Sequence, residues 1–290
     1  MSALLSIENL SAVSRRDGKP ILRDVSLQVE SGTIHGLVGE SGAGKSTISK
    51  IVLGIVSGGV VVTAGRVMLD GKDLVQIPER DKRILIGSQL ALIPQDPLTA
   101  LNPGRHIGDQ LTDSLRMWKG FNRKAAWARA LELLDHVAIR DPARVMDQFP
   151  HHLSGGMRQR VLIAAAFAIE PKLLIADEPT TALDATVQKQ VLQLLKRLQA
   201  EHGTSVVFVT HDLGVVAQIC DDVTLLFQGK VMEQGTAATI FNAPRHAYTR
   251  ALLAASPRYD NPAAGLNPID DAVIAACYAE IQEFDGVQHG

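Results

Sequence analysis

The sequence predicts an α/β fold with a mostly parallel sheet, entered through an antiparallel β segment. Three observations carry this. Gly39-Glu40-Ser41-Gly42-Ala43-Gly44-Lys45-Ser46-Thr47 lies between a short apolar strand, Thr33 to Val38, and an apolar-faced helix, Thr47 to Leu53. Two further apolar strands, Lys172 to Ala176 and Ser205 to Val209, flank an amphipathic helix from Val187 to Ala200. Strands alternating with helices imply parallel pairing, and each of these strands ends in a polar cluster, where such sheets place their ligand chemistry.

In chain order, residues 4 to 30 read as antiparallel strands, with Ile7, Val13, Ile21, Leu22, Val25, Leu27 and Val29 in short alternating patterns and Asp17-Gly18 as the hairpin turn. Gly58-Gly59 and Gly65 bound further strand-like sequence, and Arg66 to Leu69 runs into an Asp70-Gly71 turn. Leu90 to Gln95 is a second short strand before a Pro-rich loop, 96–103. From Ile107 to about Val137 the periodicity is helical, and Ser154 caps a helix running to about Ile169. Pro257 to Pro268 reads as a linker. Asn267-Pro268 then suits a helix start, and Val273, Cys277, Ile281 and Phe284 form one apolar stripe.

Composition narrows the class. The chain has 290 residues, 46% hydrophobic and 21% charged, with a formal net charge of −2. That suits one elaborated domain or a domain with an appendage, and argues against an electrostatic nucleic-acid binder. Cys220 and Cys277 are too few and too isolated for a disulfide framework or a metal cluster. Leu4 to Leu10 lacks the basic start and cleavage pattern of a signal peptide. The longest wholly apolar run, Val161 to Ile169, falls far short of the ~20 residues of a membrane span. The expectation is a cytosolic protein, with any membrane role coming through a partner.

Residues 39–46 match the phosphate-binding pattern G-x-x-x-x-G-K-[ST] at every fixed position. The glycines let backbone N–H groups turn inward onto phosphate oxygens at a helix N-terminus. Lys45 would reach the β- and γ-phosphates, and the Ser46 hydroxyl would ligate Mg²⁺. Asp177, at the end of an apolar strand, supplies a second Mg²⁺ group, and Glu178 beside it can act on a water in line with the γ-phosphate. Paired acids after a strand also serve as helix caps; the phosphate loop tips the reading toward chemistry. His211, after the next strand, is a candidate γ-phosphate contact. Ser154-Gly155-Gly156 leaves N–H groups bare at a helix start, which makes an anion site.

Leu153-Ser154-Gly155-Gly156-Met157-Arg158-Gln159-Arg160 resembles the signature motif of ABC ATPases. The order of motifs is also similar to that family: phosphate loop, Gln95 after a strand, signature, Asp177-Glu178, Ala182-Leu183-Asp184, then His211. The resemblance covers about residues 4 to 255. It implies an ABC-type P-loop NTPase core, residues 1–240, with an N-terminal antiparallel β subdomain and an α-helical insert at about 97–160, followed by an extension at 241–290. Gln95 to Pro103, Ala176 to Asp184, Thr210 to Val216 and Pro244 to Leu253 look like the corresponding stretches of oligopeptide, dipeptide and nickel importer ATPases.

The resemblance implies a reaction and an assembly. Two ATPase subunits sandwich ATP and Mg²⁺, each nucleotide held by one subunit's phosphate loop and the other's Ser154-Gly155-Gly156 and Asp184. Gln95 would contact Mg²⁺ and sense the γ-phosphate, with Glu178 as base and His211 on the γ-phosphate. The implied partners are two membrane permease subunits, a second related ATPase subunit or a second copy of this chain, and, indirectly, an extracytoplasmic solute-binding protein. No nucleic acid is implied. The implied location is the cytoplasmic face of the inner membrane, as a peripheral protein. The ATPase of a soluble phosphonate-degrading assembly is the alternative, and a catalytically idle subunit is a third. Two features depart from the family. Val13, Ser14 and Arg15 stand where an aromatic residue usually stacks on adenine, leaving Arg15 or Arg16 as the stacking group. Cys277 stands without the cysteine-rich extension of the oligopeptide group, so no iron–sulfur cluster is expected.

Overall fold

The computed structural model describes residues 3–56, 58–181, 183–256 and 269–288. The chain forms two compact units, one of Met1–Ile77 with Val207–Gly290 and one of Pro78–Val206.

The first unit opens with β1 (Ala3–Ser14) and β2 (Pro20–Glu30), paired antiparallel about the Asp17-Gly18 turn as the alternation predicts. Leu5, Ile7, Leu10, Val25, Leu27 and Val29 turn inward. Next come β3 (Ile34–Gly39), buried at all six positions, and α1 (Lys45–Val52), which starts two residues earlier than its apolar face suggests. β4 (Val60–Leu69) pairs antiparallel with β1 and turns through Asp70-Gly71 into β5 (Lys72–Asp73). Both turn residues have positive φ, 47° and 75°, which suits a two-residue hairpin loop. Gly65, expected to bound this strand, lies inside it. The β1 ladder slips at Asn9, and a Cβ on Gly65 would sit 2.5 Å from the Asn9 carbonyl oxygen.

The second unit begins with α2 (Glu79–Gln89), which the hydrophobic pattern does not announce because Leu85 is its one buried residue. β6 (Leu90–Ile93) and a single turn, α3 (Pro97–Ala100), follow, the turn capped by Asp96. The helical stretch read as continuous from Ile107 to Val137 is two helices, α4 (Ile107–Trp118) and α5 (Arg123–His136). Gly120, at φ 68°, ends the first, and the Asn122 side chain caps the second by accepting from the Ala125 N–H. Both helices carry the same period, so the break is visible only in the Gly120 and Asn122 chemistry. Then come α6 (Pro142–Met146), α7 (Gly155–Phe167), β7 (Leu173–Asp177) and α8 (Ala185–His202). β6 and β7 pair in parallel from Leu90↔Leu173 to Ile93↔Ala176.

β8 (Ser205–Thr210), wholly buried, carries the chain back to the first unit. There α9 (Leu213–Ile219) leads to β9 (Asp222–Phe227), parallel to β3, and to β10 (Lys230–Thr236), antiparallel to β9. α10 (Ala237–Asn242), α11 (Ala247–Ala255) and α12 (Asp271–Gln288) complete it. The proposed linker at 257–268, with Asn267-Pro268, lies outside the described residues. The predicted stripe of α12 is real packing: Cys277 and Ile281 share a core with Phe227, Met232 and Tyr248, with Val273 against it. Arg23 holds the far end of α12 with two bonds to the Asp285 carboxylate, 2.8 and 2.9 Å. Lys230 and His246 converge on Glu280 at 2.8 and 3.2 Å.

Inside this unit His35 of β3 is buried, its Nε2 2.9 Å from Thr224 Oγ1 and its Nδ1 without a partner. Burial depresses its pKa to about 4, whereas the unfolded chain takes that proton near 6.5. The ring therefore favours folding while neutral. Its contribution is complete above pH ~6.5 and is lost as the pH falls from there toward 4, by up to about 3 kcal/mol. Urea midpoints measured from pH 7.5 to 5 should fall for the native chain. They should fall less for His35→Gln; equal slopes would remove His35 as the cause.

Candidate nucleotide-binding site

In the first unit the phosphate loop is shaped by close approach. Gly39 ends β3 where a Cβ would lie 2.3 Å from the Leu226 carbonyl oxygen. Gly44, at φ 100°, is the N-cap of α1, and a Cβ there would meet Leu22 at 2.8 Å. Gly42, at φ 84°, has open space around it, so its need for glycine is conformational. Ala43 is buried, while Glu40, Ser41, Gly42 and Ser46 are exposed and Thr47 is half-buried. No side chain caps the α1 N-terminus, so its positive end is left to face into the loop. Lys45 is buried and arches back across the loop, its Nζ donating to the carbonyls of Gly39 at 2.6 Å and Glu40 at 2.9 Å. Its ammonium is thereby centred on the loop. His211 belongs to the same unit and is exposed just past β8.

The second unit gathers the rest into two clusters. Parallel pairing of β6 and β7 brings the segments after Ile93 and Ala176 side by side. Gln95 Nε2 donates to Glu178 Oε2 at 3.1 Å. Thr181 Oγ1 donates to the same oxygen at 2.9 Å. Glu178 has a left-handed backbone, φ 47°, a conformation that costs a non-glycine residue and concentrates at functional sites. Asp177 is half-buried at the end of β7. Sequence reasoning gave Thr181 no role. Its placement three residues after Glu178, across a tight turn, was the available signal.

The other cluster joins the signature to the start of α8. Ser154 Oγ accepts from the Met157 N–H at 3.3 Å, capping α7. Gly156 faces Val187, where a Cβ would come within 3.0 Å. The Asp184 carboxylate caps α8, accepting from Thr186 and Val187 N–H at 3.1 and 3.0 Å. Arg160 ties the two helices, one guanidinium nitrogen on the Val137 carbonyl at 2.7 Å and another on Gln190 at 3.0 Å. Ser154 and Asp184, expected at a nucleotide, are thus both helix caps, and Gly155 is exposed at the first turn of α7. Ala182 lies outside the described residues.

At the end of β1, Ser14 is half-buried and Arg15 and Arg16 are exposed. The Arg15 N–H is committed to the Gly59 carbonyl at 2.9 Å, while both arginine side chains extend outward from that fixed backbone.

The chain is similar in sequence and fold to known proteins. The family described as ABC transporter matches residues 22–181, and the family described as oligopeptide/dipeptide transporter, C-terminal region, matches residues 232–281. The chain is 44% identical over 273 residues to the dipeptide transport ATP-binding protein DppD of Bacillus subtilis, covering 93% of this chain and 82% of that one. It is 42% identical over 262 residues to the oligopeptide transport ATP-binding protein OppD of Haemophilus influenzae, covering 90% and 81%. Among solved structures, cbiO1 of Clostridium perfringens, part of the ABC transporter complex cbiONQ, superposes with a TM-score of 0.73 at 27% identity, over 84% of this chain and 92% of that one. The ATP-binding cassette MJ0796, a dimer in a post-hydrolysis state with ADP and Pi, gives 0.71 at 28% identity, over 80% and 98%.

Proposed function

The chain belongs to the ABC transporter family, and from that premise we propose that it is the ATP-hydrolysing subunit of an importer for dipeptides, oligopeptides or a related small solute such as nickel. The match over residues 232–281 carries the importer reading, because it adds the peptide-transporter C-terminal region to a cassette that the whole family shares. That same match disfavours the soluble-assembly alternative. The fold is that of an ABC ATPase cassette, an α/β P-loop core with mixed sheets.

The roles follow from the chemistry present. The residues 39–47 loop cradles the phosphates, with Lys45 neutralising charge on the β- and γ-positions. Ser46, Gln95 and Asp177 offer only oxygen ligands, the donor set that a hard, octahedral Mg²⁺ takes. When bound, Mg²⁺ would stabilise charge on the phosphate oxygens. Glu178, aimed by Gln95 and Thr181, takes the proton of the attacking water, and His211 steadies the γ-phosphate. Ser154, Gly155, Gly156 and Asp184 serve the nucleotide of the opposing subunit, a second ATPase or another copy of this chain. ATP closes that pair and drives two membrane permease subunits, served from outside by a solute-binding protein; hydrolysis reopens it.

Among the described residues no helix is long and apolar enough to cross a membrane. A peripheral position on the cytoplasmic face of the inner membrane, held by the permease subunits, fits both facts. A tagged chain recovered from gently solubilised native membranes should bring two multi-spanning proteins and a second ATPase, identified by mass spectrometry. Recovery of soluble enzymes alone would overturn the importer reading.

A further inference from the structure

The second unit carries a cavity that the nucleotide chemistry leaves unused. Its volume is about 530 Å³, a size at which small-molecule sites occur. Three segments bring arginines to its wall: Arg140 between α5 and α6, Arg144 in α6, and Arg160 in α7. His152, from the turn just before Leu153-Ser154, joins them, and Asp141 is the one carboxylate on that wall.

The charges there are unevenly answered. The Asp141 carboxylate is engaged with the backbone, accepting from the Arg144 N–H at 3.2 Å as the cap of α6. Arg160 is held in place by the Val137 carbonyl and Gln190, with donors of its fork to spare. The Arg140 and Arg144 side chains have no hydrogen bond or ion pair among the described residues. His152 Nδ1 accepts from the Phe149 N–H at 3.4 Å, so the neutral ring carries its proton on Nε2 and can donate from there.

Three guanidiniums against one carboxylate leave an excess of two positive charges around a concave wall, a shape that focuses the field. Arginines that merely solvate a surface stand apart, whereas these come from three segments to one space. The matching ligand is an anion of about two negative charges. A carboxylate offers two coplanar oxygens, which one guanidinium fork satisfies. A phosphate group offers oxygens in several directions and suits donors arriving from separate segments.

We propose that this cavity is a second anion site, one that takes the phosphate groups of a small molecule, either free pyrophosphate or a nucleoside diphosphate. Met157 and Arg160, one turn apart on α7, both line it. An anion held there lies against the opening turns of the helix that Ser154 caps.

The test is calorimetric titration of the full chain with pyrophosphate in a Lys45→Ala background, which removes the phosphate-loop lysine as a competing cation. Pyrophosphate should bind. Adding Arg140→Gln and Arg144→Gln should weaken it at least about 10-fold, since two charge-assisted contacts are lost. Neither side chain has a partner to lose, so the fold should be unaffected. With Lys45 intact, Arg140→Gln/Arg144→Gln should bind ATP with native affinity. No binding by Lys45→Ala, or equal binding with and without the two arginines, overturns the proposal. A matching fall in ATP affinity also overturns it, because the arginines would then belong to the nucleotide site. ADP titrated into the same two proteins identifies the source of the phosphate. An arginine-dependent affinity above that of pyrophosphate assigns the site to a nucleoside diphosphate, and one below it assigns the site to the free anion.

Discussion

Glu178→Gln stops turnover while ATP still binds. The expected fall in phosphate release is at least about 100-fold, the usual worth of a positioned general base. The amide has the size of the carboxylate and cannot take a proton from water. Its carbonyl oxygen can still accept from Gln95 Nε2 and Thr181 Oγ1, the two donors that fix Glu178 Oε2 at 3.1 and 2.9 Å. The turn with its left-handed Glu178 backbone therefore persists, and stability should change by no more than about 0.5 kcal/mol. Steady-state phosphate release beside calorimetric ATP binding checks both halves. A variant hydrolysing at the native rate removes Glu178 as the base.

Lys45→Ala strikes the other step. Here ATP affinity should fall roughly 100-fold, because a charge-assisted contact to the phosphates is lost from a buried position. Hydrolysis falls with it. The variant should also be somewhat less stable, since Lys45 Nζ bonds the Gly39 and Glu40 carbonyls within the loop. Lys45→Arg resolves the ambiguity that this creates. It keeps the charge, but a planar fork cannot repeat the two convergent bonds of an ammonium. The expected order of affinity is native, then Lys45→Arg, then Lys45→Ala, read by the same calorimetry. Native affinity in Lys45→Ala would remove the lysine from the nucleotide site.

What the sequence made legible follows from how locally each feature is specified. The phosphate loop is a local object. Its glycines, lysine and serine, between an apolar strand and a helix, dictate the backbone path, and β3, the loop and α1 lie where that pattern puts them. The same holds for the strand ends at Asp177 and Thr210, and for the cap at Ser154. Features that depend on partners distant in sequence were harder to see. α2 buries too little for a period to emerge, and the α4–α5 break hides inside an unbroken periodicity. The Gln95–Glu178 bond spans 83 positions and exists only because β6 and β7 pair.

The most direct test of the account is phosphate release from MgATP by the chain purified with its membrane partners, for the native form, Glu178→Gln and Lys45→Ala side by side. The account predicts release by the native complex and near-complete loss in both variants, with ATP binding retained only in Glu178→Gln. Release that persists in both variants would contradict it, because hydrolysis would then proceed without the loop lysine and without the carboxylate that Gln95 and Thr181 hold.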